Sequence, residues 1–256
     1  MRIHRLVTTG CALIVGSVLL SGCTKKPAFP EPTVIIDHPR VVRSSSSSQS
    51  SAFGQSASAP SSSSAASSGP ASLLIKVPFA SQSPFAIWDA LHEEACEEMS
   101  LIMVHHFLAG TPLGMATAET EVQQMVTWER ENRYKDDVTA QELGDIAVSL
   151  YGYRVRVLTE VTADSLRHEL AEGNPVIIPA AGRALKNPYF SGEGPFYHML
   201  VVIGYSGDGF ITNDPGTKQG AQYWYSSDVL MNALHDWMGV KEQIATGPKN
   251  ALVVEL

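Results

Sequence analysis

The stretch Glu93-Glu94-Ala95-Cys96-Glu97-Glu98-Met99-Ser100 carries the one cysteine, of three in the chain, that lies far from the N-terminus. Ala95, Met99, Ile102 and Met103 recur at helical spacing, which predicts an amphipathic helix reaching about Leu108, with one face buried and the glutamates on the other. Cys96 then falls in the first turn. There, unpaired N–H groups and the positive end of the helix dipole favour a thiolate. Solvent-screened carboxylates a turn away oppose it, each by well under about one pKa unit. With a histidine as cationic partner, the expectation is a thiol pKa well below the roughly 8.5 of free cysteine.

Of the eight histidines, His4 and His38 precede any folded region. His105 and His106 lie about three helical turns past the thiol, and His92, His168 and His235 show no carboxylate partner in sequence. His198 differs: it opens a predicted strand, Tyr197 to Tyr205, just after a glycine- and proline-rich loop, Ala181 to Pro195. Loops of that length in a compact domain are more often functional than structural. A tight turn at Ser206-Gly207-Asp208-Gly209 leads into a return strand that ends in Asn213-Asp214-Pro215-Gly216. If Tyr205 pairs with Phe210, an unbroken hairpin turns Asn213 towards the face of His198 and Asp214 away from it. One bulged residue, expected near Gly207, reverses the two. The spacing leaves both residues open as the group that orients the imidazole.

Around these residues the expected elements are a short extended opening, Leu73 to Phe79; the Cys96 helix; a second helix, Glu119 to Glu131; and a third opened by the capping box Thr139-x-x-Glu142. A half-exposed strand, Arg154 to Val157, and a fourth helix, Thr162 to Glu172, precede a buried strand, Asn174 to Pro179. After the His198 hairpin come a strand at Tyr223 to Tyr225, a helix from Ser227 to Trp237 and a closing strand, Ala251 to Leu256. Helices first and a mostly antiparallel sheet after them make the class α+β.

Together, Val77-Pro78-Phe79 with Ser81-Gln82, Trp88, Glu94-Ala95-Cys96-Glu97 opening a helix, Gly173-x-Pro175-Val176, His198 before Val-Val-Ile-Gly-Tyr, and Asn213-Asp214-Pro215 resemble the C39-like cysteine peptidases of the papain-like superfamily. The resemblance spans nearly all of Leu73 to Asp214, in order. It implies a papain-like fold and no cofactor, with Cys96 as nucleophile, His198 as general base and acid, Asp214 orienting the imidazole and Gln82 as oxyanion donor. Better-known members are fused to transporters and cut leader peptides after a double glycine. This chain has no transmembrane repeats and no P-loop, so leader processing is not implied.

The N-terminus points to export. Met1 to Cys23 has a basic start, an apolar run from Cys11 to Leu20 and then Leu20-Ser21-Gly22-Cys23. That ending resembles the bacterial lipobox, which implies residues 1–22 as a signal peptide and Cys23 as a lipidated N-terminus, with the membrane as partner through that anchor. Thr24, where an aspartate would retain such a product at the inner membrane, leaves the destination membrane open. Residues 23–72 read as a tether, since Ser44 to Ser68 has fifteen serines in twenty-five positions and almost nothing to bury. Its reach is on the order of 40 Å. Residues 73–256 are then one domain with a real core.

Six of the 18 basic residues and two of the 26 acidic ones precede Leu73, which leaves that domain with 12 against 24. Such a balance excludes an electrostatic footprint for nucleic acid or anionic lipid. With Cys11 removed and Cys23 acylated, Cys96 has no disulfide partner in a compartment where thiols oxidise. No His/Cys/Asp/Glu cluster has metal-ligand spacing. The expected protein is a monomeric, extracytoplasmic thiol hydrolase of the cell envelope acting on peptides or amides. The alternatives are a cell-wall peptide amidase or acyltransferase using the same residues, and a non-catalytic surface binding module on the same fold.

Overall fold

The computed structural model describes residues 70–256 and the strand β1 (Val34–Ile36). The signal peptide, the lipobox with Cys23 and most of the tether lie outside the described residues. β1 pairs in parallel with β2 (Ser72–Ile75), Val34 opposite Leu73. The stretch read as an unbroken tether therefore includes a strand. Its run Val34-Ile35-Ile36 is β-branched throughout, the composition that favours extended backbone.

Cys96–Ala109 forms α1, which Gly110 ends in the left-handed conformation. α2 (Met115–Glu131) begins a turn earlier than expected, directly after Gly114, because Met115 and the two alanines that follow in its first turn are good helix formers. Thr139 and Glu142 make the reciprocal capping box that starts α3 (Ala140–Tyr151). β3 (Arg154–Leu158), α4 (Ala163–Ala171) and the fully buried β4 (Val176–Ala181) follow. The long loop then returns the chain into β5 (Tyr197–Ser206), also buried along its whole length. β6 (Gly209–Asn213), β7 (Tyr223–Ser226), α5 (Ser227–Ala233) and β8 (Ala251–Glu255) complete the fold.

α5 stops short of the expected Trp237. Buried Asp236 accepts hydrogen bonds from the Ala140 and Trp237 N–H groups and from Asn250 Nδ2, which draws the chain off the helix axis towards the head of α3. The sheet runs β1-β2-β5-β4-β8-β3, with β6 joined to β5 and β7 to β6. Every pairing except β1 with β2 is antiparallel. α1 packs on β5 with α2 against it, and α3 covers β3 and β8. This is the α+β arrangement expected, with the N-terminus of α1 against the antiparallel strand β5.

One expectation about α1 is overturned. Glu97 and Glu98 are not on a solvated face; they are 1% and 3% exposed. α1 is enclosed by β5 on one side and by α2 and α3 on others, so its glutamates are buried with its apolar residues. Helical spacing cannot report a helix that is covered on every side.

In the β5–β6 hairpin Tyr205 pairs with Phe210, and the register slips by one residue between Val202 and Gly204, so that Val201 faces Asn213. The bulge is at Ile203 rather than near Gly207. At Gly204 a side chain would lie 2.2 Å from the Leu73 carbonyl oxygen, so the close approach of β2 there requires glycine.

Candidate active site

Cys96 is the first residue of α1, and its N-cap, Ala95, has no side-chain oxygen with which to occupy the free N–H groups of the first turn. The thiol lies against β5, where the Met199 N–H donates to Sγ at 3.3 Å. The residue before Met199 is His198, which β5 holds on a strand and which is 1% exposed.

The bulge at Ile203 decides what faces His198. His198 Nε2 donates to Asp214 Oδ1 at 2.8 Å, with the carboxylate fully buried. Asn213 points elsewhere: its Nδ2 donates to the Val77 and Pro78 carbonyls, and its Oδ1 accepts the Gln222 N–H. Asp214 has further donors, with the Gly216 N–H on Oδ1 and Asn187 Nδ2 and the Tyr225 hydroxyl on Oδ2 at 3.1 and 2.6 Å. Burial alone would raise its pKa, but the His198 charge and these hydrogen bonds hold it below the ordinary aspartate value. The turn behind it is tight, since a side chain at Gly220 would lie 1.7 Å from the Asp214 carbonyl oxygen.

Asn187 and Tyr225 carry no signal in the sequence that ties them to the site. Asn187 lies in the long loop expected to be functional, but nothing in its neighbours points to Asp214. Tyr225 is one of three consecutive aromatic residues, Tyr223-Trp224-Tyr225, and periodicity does not say which of them faces inward.

Gln82 lines the same cavity as Cys96 and His198, which has a volume of about 450 Å³. Its Nε2 donates to the carbonyls of His92 and Glu93, while its Oε1 is buried without a partner. Its backbone N–H and the Ser81 hydroxyl both donate to the Pro215 carbonyl, which ties this loop to the Asp214 turn. Trp88, Tyr189, Phe190, Phe196 and Tyr197 supply the aromatic part of the lining. Phe190 meets the His198 ring edge to face at 5.3 Å.

The thiol itself departs from expectation. Cys96 Sγ donates to Glu97 Oε2 at 2.9 Å. Burial first, then the Glu97 charge and this hydrogen bond, push the thiol well above its ordinary pKa, against a smaller lowering by the Met199 N–H. The expected low value assumed glutamates screened by water. With the thiol itself buried and Glu97 beside it, the net shift changes sign.

Other histidines also have carboxylate partners that the sequence did not reveal. His92 lies between Asp89 and Glu119, and His106 Nε2 is 2.9 Å from Glu121. Neither lines the cavity. Among the described residues, no group of three or more His, Cys, Asp or Glu side chains converges on a metal position.

A family model described as "Peptidase_C39 like family" matches residues 74–245. The chain belongs to the Peptidase_C39-like family. That makes it a hydrolase of the peptidase class by family. A search of curated proteins returns no match. Among solved structures, a provisionally designated C39-like peptidase from Bacillus anthracis is similar at 15% identity and a TM-score of 0.47, over 71% of this chain and 95% of that one. Likeness at that level transfers no residue role.

Proposed function

We propose that the chain is a thiol peptidase with Cys96 as nucleophile, His198 as general base and acid, and Asp214 orienting the imidazole. The observation that supports this most is the buried His198–Asp214 pair, whose imidazole lines the same cavity as a thiol at a helix N-terminus. With Nε2 engaged by Asp214, Nδ1 is the ring nitrogen left to work on the thiol. As Sγ attacks a peptide carbonyl carbon, the S–H bond breaks, its proton passes to His198 Nδ1, and the C=O π pair moves onto oxygen. The free Cys96 N–H at the head of α1 stabilises that oxyanion. Gln82 becomes a second donor if substrate displaces one of the carbonyls that its amide now serves. Collapse then breaks the C–N bond as His198 gives its proton to the amine, and water activated by the same imidazole releases the acyl group.

The wider reading is of a lipoprotein: cleavage after Gly22, a lipid on Cys23 and a tether would hold the domain at a membrane surface outside the cytoplasm, acting on peptides there. The test is hydrolysis of a mixed peptide library by the full chain, read by mass spectrometry, alongside labelling by a peptide electrophile. Cys96→Ala should abolish both. Label that survives in Cys96→Ala, or peptide cleavage that does, sinks the assignment.

A further inference from the structure

Glu97 is a buried carboxyl with an unusual set of neighbours. Adjacent residues on a helix seldom face one another, yet Glu97 Oε2 accepts the Cys96 S–H at 2.9 Å. Its other oxygen has only a long bond, 3.4 Å, from the Val138 N–H. Among the described residues, no Lys, Arg or His makes an ion pair with it. The groups facing it are Cys96 and Glu98 on α1, Glu129 on α2, Asp137 on the approach to α3, and Tyr197 on β5. Lys241, the cation that joins this network, pairs with Asp137 and Glu94 instead. A buried carboxyl so poorly matched destabilises the fold unless it is neutral or serves a purpose.

We propose that Glu97 is a positioning residue that holds Cys96 as a protonated, unreactive thiol until bound substrate brings Sγ to His198. The inference rests on Cys96 being the nucleophile. The sulfur and the carboxyl form one proton-sharing unit, in which the low-dielectric surroundings resist a second negative charge. While Glu97 accepts the S–H, the thiol proton is directed away from the imidazole, and ionising the sulfur would set two anions side by side. Burial raises both groups, while the hydrogen bond between them raises the thiol and lowers the carboxyl, which favours the proton on sulfur. Such an arrangement also slows oxidation of the Cys96 thiol, because the thiolate is the reactive form.

The test is iodoacetamide alkylation of the full chain against pH, read on the Cys96 peptide by mass spectrometry. The parent should show a midpoint above the roughly 8.5 of free cysteine. Glu97→Gln keeps the shape and can donate an N–H to the sulfur, so its midpoint should fall by about one pH unit or more, which is about tenfold faster alkylation at pH 7. Glu98→Gln, which alters a neighbouring carboxyl with no bond to the sulfur, should shift the midpoint less. An unchanged or raised midpoint in a folded Glu97→Gln protein overturns the proposal. Should that variant fail to fold, the parent alone decides: the infrared S–H band, isolated as parent minus Cys96→Ser, should lie at the lowered frequency of a strongly bonded thiol, and a free-thiol frequency overturns it. Neither readout requires turnover, so a failure here is separable from failure of the nucleophile assignment.

Discussion

Asp214 and Asn213 are neighbours in the chain, yet their loss should do different things. Asp214 binds the imidazole and is itself held by the Gly216 N–H, Asn187 and Tyr225. Asp214→Asn keeps the size but removes the charge that stabilises the imidazolium and disturbs the tautomer, so peptide turnover should fall on the order of a hundredfold or more. Asn213→Ala instead strands the Val77 and Pro78 carbonyls, and about 1–3 kcal/mol of stability should go with them while turnover per folded molecule stays near the parent's. Steady-state kinetics paired with urea unfolding separates the two. Turnover lost in Asn213→Ala but kept in Asp214→Asn would reverse the assignment.

Between elements, α1 and α2 meet through buried acids. Burial pushes Glu129 up to about 7 and raises Glu98 well above its ordinary value, with a hydrogen bond between the two side chains. Acids whose folded pKa is raised bind more protons in the folded state, so their contribution is fully present below about pH 4.3 and is lost as pH rises through about 7. Asp214 runs the opposite way, since its depressed pKa contributes stability above about pH 3.9 that is lost on further acidification. Between those limits the raised acids dominate, and melting temperature should decline as pH is taken from about 5 to about 8. Glu129→Gln should flatten that decline and melt higher than the parent at the alkaline end. A parent that melts higher at the alkaline end than at the acid end would refute this.

For the molecule as a whole, the segment that follows the proposed lipid anchor contributes β1 to the sheet of the domain. The strand Val34–Ile36 adds to the sheet in parallel beside Ser72–Ile75 with Ile36 opposite Ile75, so Ile36, where β1 ends, and Ser72, where β2 begins, are offset by about 10 Å along the strands. Among the described residues no helix is long and apolar enough to cross a membrane. On the lipoprotein reading, Cys23→Ser should therefore move the protein to the soluble fraction, because the signal-derived lipid supplies its membrane affinity. Retention of that variant in salt-washed membranes would count against the anchor.

Local features were legible in residue order alone. Thr139 with Glu142 announced α3, the spacing of apolar residues announced α1 and β5, and the turn at Gly207 paired Tyr205 with Phe210 as expected. Cys96 and His198 stood out because the chemistry needs those residue types and few positions offered them. Whatever depended on burial or on long-range contact needed the folded chain, because burial is set by what covers an element from outside. A helix enclosed on several sides buries Cys96 together with Glu97 and Glu98, and burial first, then the unscreened carboxylates, raise the thiol. A single bulge at Ile203, with no residue type that marks it, turns Asp214 rather than Asn213 to His198. Asn187 and Tyr225 reach the same carboxylate from a loop and a strand far apart in sequence, a meeting that only the assembled tertiary structure brings about.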